Sequence, residues 1–540
     1  MNRASGIIAH PTSFPGEHGI GDLGGGAYEF INFLAAAKQT LWQVLPLGPT
    51  SYGDSPYQSF SSFAGNPYMI SPDLLFKQGY LFEEDLLDIP EFDPRTADYG
   101  KMIDYKMPLL KKAFKNYKLL ETRGVKGNYT KFCARNADWI NDYALFVALK
   151  NHFIAERKTK KGGAEFKAYR KANKKYLTEN QILDYYYGAV WNSWPEPLAR
   201  RDLAAMNTYS VKLADEIEFH KFLQFEFFNQ WENVKQAANS KGIKIIGDIP
   251  IFVAFDSSDT WAGPSLFYLD EELQPTVVAG VPPDYFSETG QLWGNPLYNW
   301  ENHKKSGYEW WTRRIESTLK LVDIIRIDHF RGFESYWAVP YGEKTAARGK
   351  WTKGPGGDLF DAIVRQLGHL PIIAEDLGII TPAVTDLRES LELPGMKVLQ
   401  FAFDPEAKGL YAPHNYTSTR TVVYTGTHDN DTSRGWYEFA PEDEKDYFRR
   451  YLNVSGESPA WDLIRLAYSS TANFAVAPIQ DVMDLETDAR MNVPGVPAGN
   501  WRFRYTSDML TDELAERLAY LAALYNRLPD KKKKKSASIL

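Results

Sequence analysis

The chain has 540 residues, of which 44% are hydrophobic and 24% charged, and its formal net charge is −7. This balance is typical of a globular protein and favours neither a nucleic acid nor an anionic membrane as partner. Its single cysteine, Cys133, excludes an intrachain disulfide. No stretch approaches the roughly 18 apolar residues of a membrane span, and the N-terminus lacks a signal-peptide core. We expect a cytoplasmic protein, although an organelle protein without its transit peptide would look the same.

Seven β-branched runs predict buried strands that end in polar or charged residues. In chain order they are 40–47, 243–248, 322–328, 371–376, 397–403, 421–425 and 474–479, and residues 67–71 are the weakest candidate for a further strand. The apolar runs are nearly continuous, which favours strands buried on both faces of a parallel sheet.

Helical patterns lie between these strands, at 27–38, 213–240, 309–321 and 359–367. Alternation of strand and helix predicts parallel strands with crossover helices. The number of strands over this length suits an α/β fold of the (β/α)8 TIM-barrel class better than a small doubly wound sheet.

Residues 75–206 break this alternation. They are rich in Lys, Tyr and Phe and mainly helical in pattern, so we predict a helical insertion in one loop of the barrel; a separate domain stays open. The barrel would comprise residues 1–74 and 207–528. We expect no C-terminal β-sandwich domain, and we interpret 529–540, with five consecutive lysines, as a basic disordered tail.

Acidic residues recur where the predicted strands end. Asp248, Asp328 and Glu375 directly end β-branched runs, and Asp429 follows its run by a few residues. The carboxyl ends of barrel strands surround the active site, so the fold would gather these distant residues. Asp248 alone could equally cap the following helix.

Glycoside cleavage needs such a set of carboxyl groups. One carboxylate stabilises positive charge at the anomeric carbon, and a second carboxyl group stays protonated to help the leaving oxygen depart. Arg326 precedes Asp328 by two residues and therefore lies on the same strand face, where it would keep Asp328 ionised. A purely structural ion pair is the alternative. Aromatic residues, 14% of the chain, could stack on sugar rings or simply fill a large core.

Several segments carry a resemblance to known enzymes. Residues 325–332, 374–378 and 427–430 resemble the nucleophile, acid/base and third-carboxylate segments of the α-amylase superfamily. Further segments are similar to the amylomaltase, or disproportionating-enzyme, family of 4-α-glucanotransferases; they include 10–16, 53–59, 63–67, 247–252, 278–286, 290–298 and 490–495. The resemblance runs nearly end to end and is weakest in the helical insertion and the tail.

The resemblance implies a role for each matching residue. Asp328 would be the nucleophile, Glu375 the general acid and then base, and Asp429 would hold sugar hydroxyls. The implied substrate-binding residues are Arg326, His428, Asp248, Ser55, Tyr57, Asp284, Gln291, Trp293, Asn295, His329 and Asn492. Four of these belong to the segment 284–295, which we interpret as a loop over the cleft with a stiff, proline-containing start.

We therefore expect a 4-α-glucanotransferase that moves α-1,4-glucan segments to a glucose or maltodextrin acceptor with retention of configuration. An α-1,4-glucan hydrolase would need the same carboxylates and is the alternative. A non-catalytic glucan-binding protein is a remote alternative, since such a protein should have lost at least one of the three catalytic carboxylates. We expect no cofactor and no metal, because carboxylates complete the chemistry.

Overall fold

The computed structural model describes residues 3–120, 127–158, 163–174, 179–283, 287–405, 409–496 and 498–529. The lysine run of the predicted tail lies outside the described residues. Twelve strands are described: β1 (Ala4–Ile8), β2 (Leu41–Gln43), β3 (Lys244–Pro250), β4 (Val277–Val281), β5 (Gln291–Pro296), β6 (Ile324–Asp328), β7 (Ser335–Pro340), β8 (Lys350–Lys353), β9 (Ile372–Ala374), β10 (Gly395–Val398), β11 (Thr421–Tyr424) and β12 (Phe474–Pro478).

Twenty α-helices are described between and after these strands. They are α1 (Gly25–Ala36), α2 (Pro72–Lys77), α3 (Tyr99–Leu120), α4 (Gly127–Arg135), α5 (Ala137–Lys158), α6 (Ala164–Asn173), α7 (Glu179–Tyr187), α8 (Glu196–Ala199), α9 (Leu203–Lys212), α10 (Ala214–Ser240), α11 (Ser258–Ala262), α12 (Trp300–Lys305), α13 (Glu309–Leu321), α14 (Gly357–Leu367), α15 (Pro382–Ser390), α16 (Ser433–Phe439), α17 (Glu442–Leu452), α18 (Pro459–Ser469), α19 (Ile479–Val482) and α20 (Asp512–Leu524). None of the helices described is long and apolar enough to cross a membrane.

Eight strands form one parallel sheet in the order β10-β11-β12-β1-β2-β3-β6-β9. The N–H of Ala374, at the end of β9, donates to the carbonyl oxygen of Pro394 at 2.9 Å, directly before β10. The two outer strands therefore meet, and the sheet closes into the predicted (β/α)8 barrel. Strands such as β11 and β12 are buried along their whole length, as expected for a sheet covered by side chains inside and helices outside.

The second barrel strand was predicted in the wrong place. Residues 67–71 do not form a strand: Pro67–Met69 is a 3-10 turn, and α2 begins at Pro72. Pro67 has no N–H for a sheet ladder, and the Asn66 side chain accepts the Tyr68 N–H at 3.0 Å. The missing strand is β1, which precedes all the predicted ones and is only five residues long. The run 397–403 is also only partly a strand, because β10 ends at Val398 and residues 399–402 form a 3-10 turn.

A second sheet was not predicted at all. It is antiparallel, with the order β5-β4-β7-β8. In the chain, β4 and β5 follow β3, and β7 and β8 follow β6. This sheet is therefore inserted at the carboxyl ends of two neighbouring barrel strands, where it forms one wall above the barrel mouth.

The region between β2 and β3 is helical, as its sequence pattern predicts, and contains α2 to α10. Its core is continuous with that of the barrel. The Phe222 ring on α10 lies 5.5 Å from that of Phe114 and 4.9 Å from that of Tyr117, both on α3. The predicted insertion boundaries at residues 75 and 206 stay a prediction.

Candidate active site

The carboxyl ends of β3 and β6 hold three charged residues in one buried cluster. Asp248 on β3 is paired in register with Arg326 on β6. The Arg326 guanidinium bonds Asp248 Oδ2 and lies 3.1 Å from Asp328 Oδ1. The side chains of Arg326 and Asp248 are at most 4% exposed, whereas that of Asp328 is 28% exposed. Of the three, Asp328 is thus the group that a ligand can reach.

A tyrosine and a histidine complete this side of the mouth. The Tyr57 hydroxyl donates to Asp248 Oδ2 at 2.7 Å, and the Tyr57 ring stacks on His428 with centroids 5.0 Å apart. Burial and the Asp248 charge raise the pKa of Tyr57 well above its usual value, so it stays a neutral donor. The other oxygen of Asp248, Oδ1, is buried and has no hydrogen-bond partner among the described residues.

Glu375 directly follows β9 and is held by the backbone of two turns. Its Oε2 accepts the His329 N–H and its Oε1 accepts the Leu377 N–H, both at 2.7 Å. His329 adopts a left-handed backbone with φ 53°, a conformation that is uncommon for non-glycine residues. That turn after Asp328 directs the His329 N–H at Glu375, so the two carboxyl groups are positioned together.

Arg326 acts on the carboxyl groups of both Asp328 and Glu375. Burial raises the pKa of both. Arg326 opposes this shift at Asp328, and Asp248, Glu375 and Asp429 reinforce it. At Glu375, Arg326 and the two backbone N–H groups oppose the effect of burial. Asp328 and Glu375 together therefore retain a proton at a pH where isolated carboxyl groups have lost theirs.

Asp429 follows β11 and faces the cleft with a side chain 45% exposed. Asn492 donates to its Oδ1 at 2.6 Å, and His428 Nε2 lies 3.4 Å from its Oδ2. Arg490 donates to its backbone carbonyl at 2.6 Å. These contacts fix the carboxylate while leaving part of it open. Burial lowers the pKa of His428, which favours a neutral ring next to the acids.

The second sheet supplies the opposite wall. The Trp293 ring meets the His329 ring edge-on, with centroids 4.8 Å apart. The Trp293 indole N–H donates to Gln291 Oε1 at 3.1 Å. Asn295 is buried and donates to the Val253 carbonyl at 2.9 Å. The prediction of a loop at 284–295 is wrong for Gln291, Trp293 and Asn295, which lie on β5; Asp284 lies outside the described residues.

The structure brings most of the predicted residues together at the mouth of the barrel. The polar side-chain groups of Ser55 and Asn295, however, already bond neighbouring residues. The Ser55 hydroxyl oxygen accepts the Tyr57 N–H at 3.3 Å, which places it in the turn that presents the tyrosine. The Asn295 side-chain N–H donates to the Val253 carbonyl, and Asn295 Oδ1 lies 3.5 Å from Gln58 Nε2. Both residues therefore support neighbours of the cleft.

Two residues of the site were given no role by the sequence. Trp501 packs against Tyr57 at 5.8 Å and His428 at 5.9 Å between ring centroids. It lies outside every segment that carried the resemblance, so no signal pointed to it. Arg490 lies in the segment 490–495, which was a signal. Among the described residues, no group of three or more His, Cys, Asp or Glu side chains is arranged to hold a metal ion.

Comparison with known proteins places this arrangement in a family. A family model described as 4-alpha-glucanotransferase matches residues 9–160 and 152–511. The chain is 48% identical over 535 residues to the 4-alpha-glucanotransferase of Thermus thermophilus, covering 98% of this chain and 100% of the relative. This chain belongs to the 4-alpha-glucanotransferase family. A relative of the same name from Synechocystis sp. is 46% identical over 528 residues, which are 97% of this chain and 98% of the relative.

A solved member of the family has the same fold. The amylomaltase from Streptococcus agalactiae, in complex with acarbose, superposes with a TM-score of 0.88 at 38% identity, covering 98% of this chain and all of the other. The predictions of an amylomaltase-type barrel and of a 4-α-glucanotransferase are confirmed.

Proposed function

We propose that this 4-α-glucanotransferase transfers α-1,4-glucan segments to the 4-hydroxyl of a glucose or maltodextrin acceptor by a retaining double displacement. Asp328 is the nucleophile, and Glu375 is the general acid and then the base. The observation that carries this assignment is the unequal setting of the two carboxyl groups. Asp328 forms an ion pair with Arg326, whereas Glu375 has no ion pair in the part of the chain that the structure describes.

The shared proton therefore belongs on Glu375. Arg326 at 3.1 Å stabilises ionised Asp328. Each Glu375 oxygen uses one lone pair for a backbone N–H, which leaves the outer lone pair of either oxygen for a proton. Burial raises the pKa of Asp328 well above its usual value and also raises that of Glu375. The ion pair with Arg326 keeps Asp328 ionised and leaves the proton on Glu375, which gives it to the leaving oxygen.

In the first step, an Asp328 oxygen attacks the anomeric carbon as the glycosidic bond breaks, and the Glu375 proton moves to the departing 4-oxygen. In the second step, Glu375 removes the proton of the acceptor 4-hydroxyl. The acceptor oxygen attacks the anomeric carbon, and Asp328 leaves as a carboxylate. Two inversions give net retention.

The remaining residues of the mouth hold the sugar that is cleaved. Asp429, fixed by Asn492, accepts hydroxyl hydrogens, whereas the buried Asp248 acts through its bonds with Arg326 and Tyr57. The stacked rings of Tyr57 and His428 form an uncharged surface beside this sugar. Trp293 packs on the ring of His329, whose backbone N–H bonds Glu375, and we assign it to pack on the acceptor sugar and displace water from it.

Incubation of the purified protein with maltotriose tests this function. Free glucose together with a ladder of longer maltodextrins would demonstrate transfer to a sugar acceptor. Glucose and maltose alone would mean that water is the acceptor and that the protein is an α-1,4-glucan hydrolase. Asp328→Asn serves as the control, because it should abolish the products in either case. We also propose a cytoplasmic location, which the single cysteine supports.

A further inference from the structure

One buried carboxylate close to the barrel mouth takes no part in the reaction as described above. Asp481 lies on α19, directly after β12, and is only 1% exposed. Among the described residues no cation pairs with it. Burial raises the pKa of Asp481 to about 6, and hydrogen bonds from Ser433 and Thr425 oppose the shift. Its charge is therefore stabilised by neutral hydrogen-bond donors, and the identity of those donors shows what the residue does.

The Asp481 carboxylate accepts three hydrogen bonds from two residues. Its Oδ1 accepts the Ser433 backbone N–H at 2.7 Å. Its Oδ2 accepts the hydroxyls of Ser433 at 2.6 Å and of Thr425 at 2.5 Å. Thr425 directly follows β11, and Ser433 is the first residue of α16, where a backbone N–H has no partner within the helix. Asp481 thus joins the two ends of the segment 425–433.

This segment presents His428 and Asp429 to the cleft, and it has further contacts between its ends. The Thr487 hydroxyl donates to Asp431 Oδ2 at 3.0 Å, and Gln400 donates to the Asp431 carbonyl at 2.9 Å. Release of the two ends would therefore loosen the turn without detaching it. A carboxylate that bonds sugar hydroxyls depends on its position to within a fraction of an ångström, so such loosening should weaken sugar binding.

We propose that Asp481 is a positioning residue that places Asp429 and His428 against the sugar at the cleavage point. It fixes both ends of the segment 425–433 and, being buried, does not touch the substrate. The inference rests on the proposed function, in which Asp429 holds sugar hydroxyls, and adds to it the residue that sets where this carboxylate lies.

The three hydrogen bonds predict which substitution of Asp481 is tolerated. A backbone N–H can only donate, so the atom that faces the Ser433 N–H must stay an oxygen. The other carboxylate oxygen faces two hydroxyls, and a hydroxyl can donate or accept. In Asp481→Asn, the amide oxygen can accept the Ser433 N–H while the amide N–H groups donate to the hydroxyls of Ser433 and Thr425. Asp481→Ala removes all three bonds and leaves the buried N–H unpaired.

Calorimetric titration with maltoheptaose tests the proposal on Glu375→Gln protein, which lacks the acid that cleaves this ligand. Asp481→Ala should raise the Kd about tenfold, and Asp481→Asn should stay within about twofold of the parent protein. The titration also gives the number of sites, and a partly unfolded variant would lose sites without a change in Kd. Asp323→Ala is the matched control, because Asp323 accepts the Ile245 N–H at 2.8 Å at the opposite, amino end of β6. Its Kd should not change.

A double variant shows whether Asp481 acts through Asp429. In a protein that already carries Asp429→Asn, the effect of Asp481→Ala on Kd should shrink to about twofold or less. A tenfold rise in that background would overturn the proposal. So would an unchanged Kd for Asp481→Ala, or for Asp429→Asn alone.

A milder variant covers the case in which Asp481→Ala does not fold. Thr425→Val keeps the shape of the side chain but removes one hydroxyl that bonds Asp481, and it should raise the Kd about threefold. An unchanged Kd would count against the proposal. The proposed function is judged separately, from the products that protein with intact Glu375 forms from maltotriose. Absence of longer maltodextrins there would contradict transfer, whereas the Kd values depend on sugar binding alone.

Discussion

The two walls of the cleft are built in different ways. At the barrel mouth, Asp248 and Arg326 are buried and lie opposite each other on neighbouring parallel strands. Arg326 and the Tyr57 hydroxyl both bond Asp248. The second sheet is antiparallel, and two of its large side chains are exposed, Leu292 at 37% and Trp351 at 42%. The buried strands fix the reacting groups, whereas the inserted sheet offers a surface that can change without disturbing them. Substitutions at the mouth should therefore affect the chemical step, and substitutions on the sheet should affect the choice of acceptor.

The largest effect is expected at the nucleophile. Asp328→Asn removes the attacking carboxylate, and kcat should fall by about 10⁴-fold or more. Transfer from maltotriose, followed by release of glucose, measures the loss. Asp358→Asn, which removes an exposed carboxylate that pairs with Lys304, should keep full activity. A residual rate above one tenth of wild type for Asp328→Asn would remove this residue from the mechanism.

The next effect is expected at Arg326. Arg326→Gln leaves Asp248 and Asp328 without their cation, so the pKa of Asp328 rises further and less of the nucleophile is ionised. We expect kcat to fall by about 10²- to 10³-fold, and the free energy of unfolding to drop by ~3–5 kcal/mol, because a buried charge is left unpaired. Activity assays and urea unfolding test both. An unchanged kcat would show that the pair is purely structural.

On the sheet side, Trp293→Ala should change the acceptor rather than the bond broken. Loss of the ring beside His329 admits water, so the ratio of transfer to hydrolysis should fall about tenfold, equivalent to ~1.4 kcal/mol. Product analysis with maltotriose gives this ratio. Trp351→Ala, on β8 of the same sheet, provides the matched control. The contrast between the two walls fails if Trp293→Ala instead lowers both reactions equally.

Glu226 differs from Asp248 in that it is buried without a cation as partner in the described part of the chain. Glu226 on α10 is fully buried, and neither of its side-chain oxygens accepts a well-formed hydrogen bond from a described residue. Burial raises the pKa of Glu226 to about 7, with Gln78 opposing the shift. The folded protein thus binds this proton more tightly than the unfolded chain. The resulting stability is present at low pH and is lost as the pH rises from the ordinary value near 4.5 to about 7.

Glu226→Gln should therefore raise the free energy of unfolding at pH 8 by roughly 2–3 kcal/mol and leave it nearly unchanged at pH 5. Thermal or urea unfolding at the two pH values measures the difference. Glu232→Gln, an exposed position on the same helix, should change neither value. An equal gain at both pH values would indicate better packing rather than titration.

The sequence predicted the barrel because its strands are continuous apolar runs. It did not predict the second sheet, since β8 is short, polar and mostly exposed, and β5 contains polar residues and no continuous apolar run. Gly280 and Gly294 further weaken the strand pattern, and Gly294 needs its positive φ of 78°. The strand β1 was missed because five residues at the N-terminus carry too little periodicity to separate from a loop.

The carboxyl groups of the site were predictable because each ends a continuous apolar run of the sequence or lies a few residues beyond one. Their partners were less so. Tyr57 and Asp248 are 191 residues apart, and the resemblance alone linked both to the substrate. Two backbone N–H groups, of His329 and Leu377, bond Glu375. The first of these bonds depends on the left-handed backbone of His329, which a pattern of side chains does not predict. The expected roles of Asp328, Glu375 and Asp429 stay predictions until they are measured.

Trapping of the covalent intermediate tests the central claim most directly. Glu375→Gln protein is mixed with α-maltosyl fluoride, a donor that needs no acid to form the intermediate but needs the Glu375 base to lose it. Mass spectrometry should find the protein heavier by one maltosyl group, on a peptide that contains Asp328. A maltosyl group on a peptide with Asp248 or Asp429, or free maltose released with no labelled protein, would contradict the account.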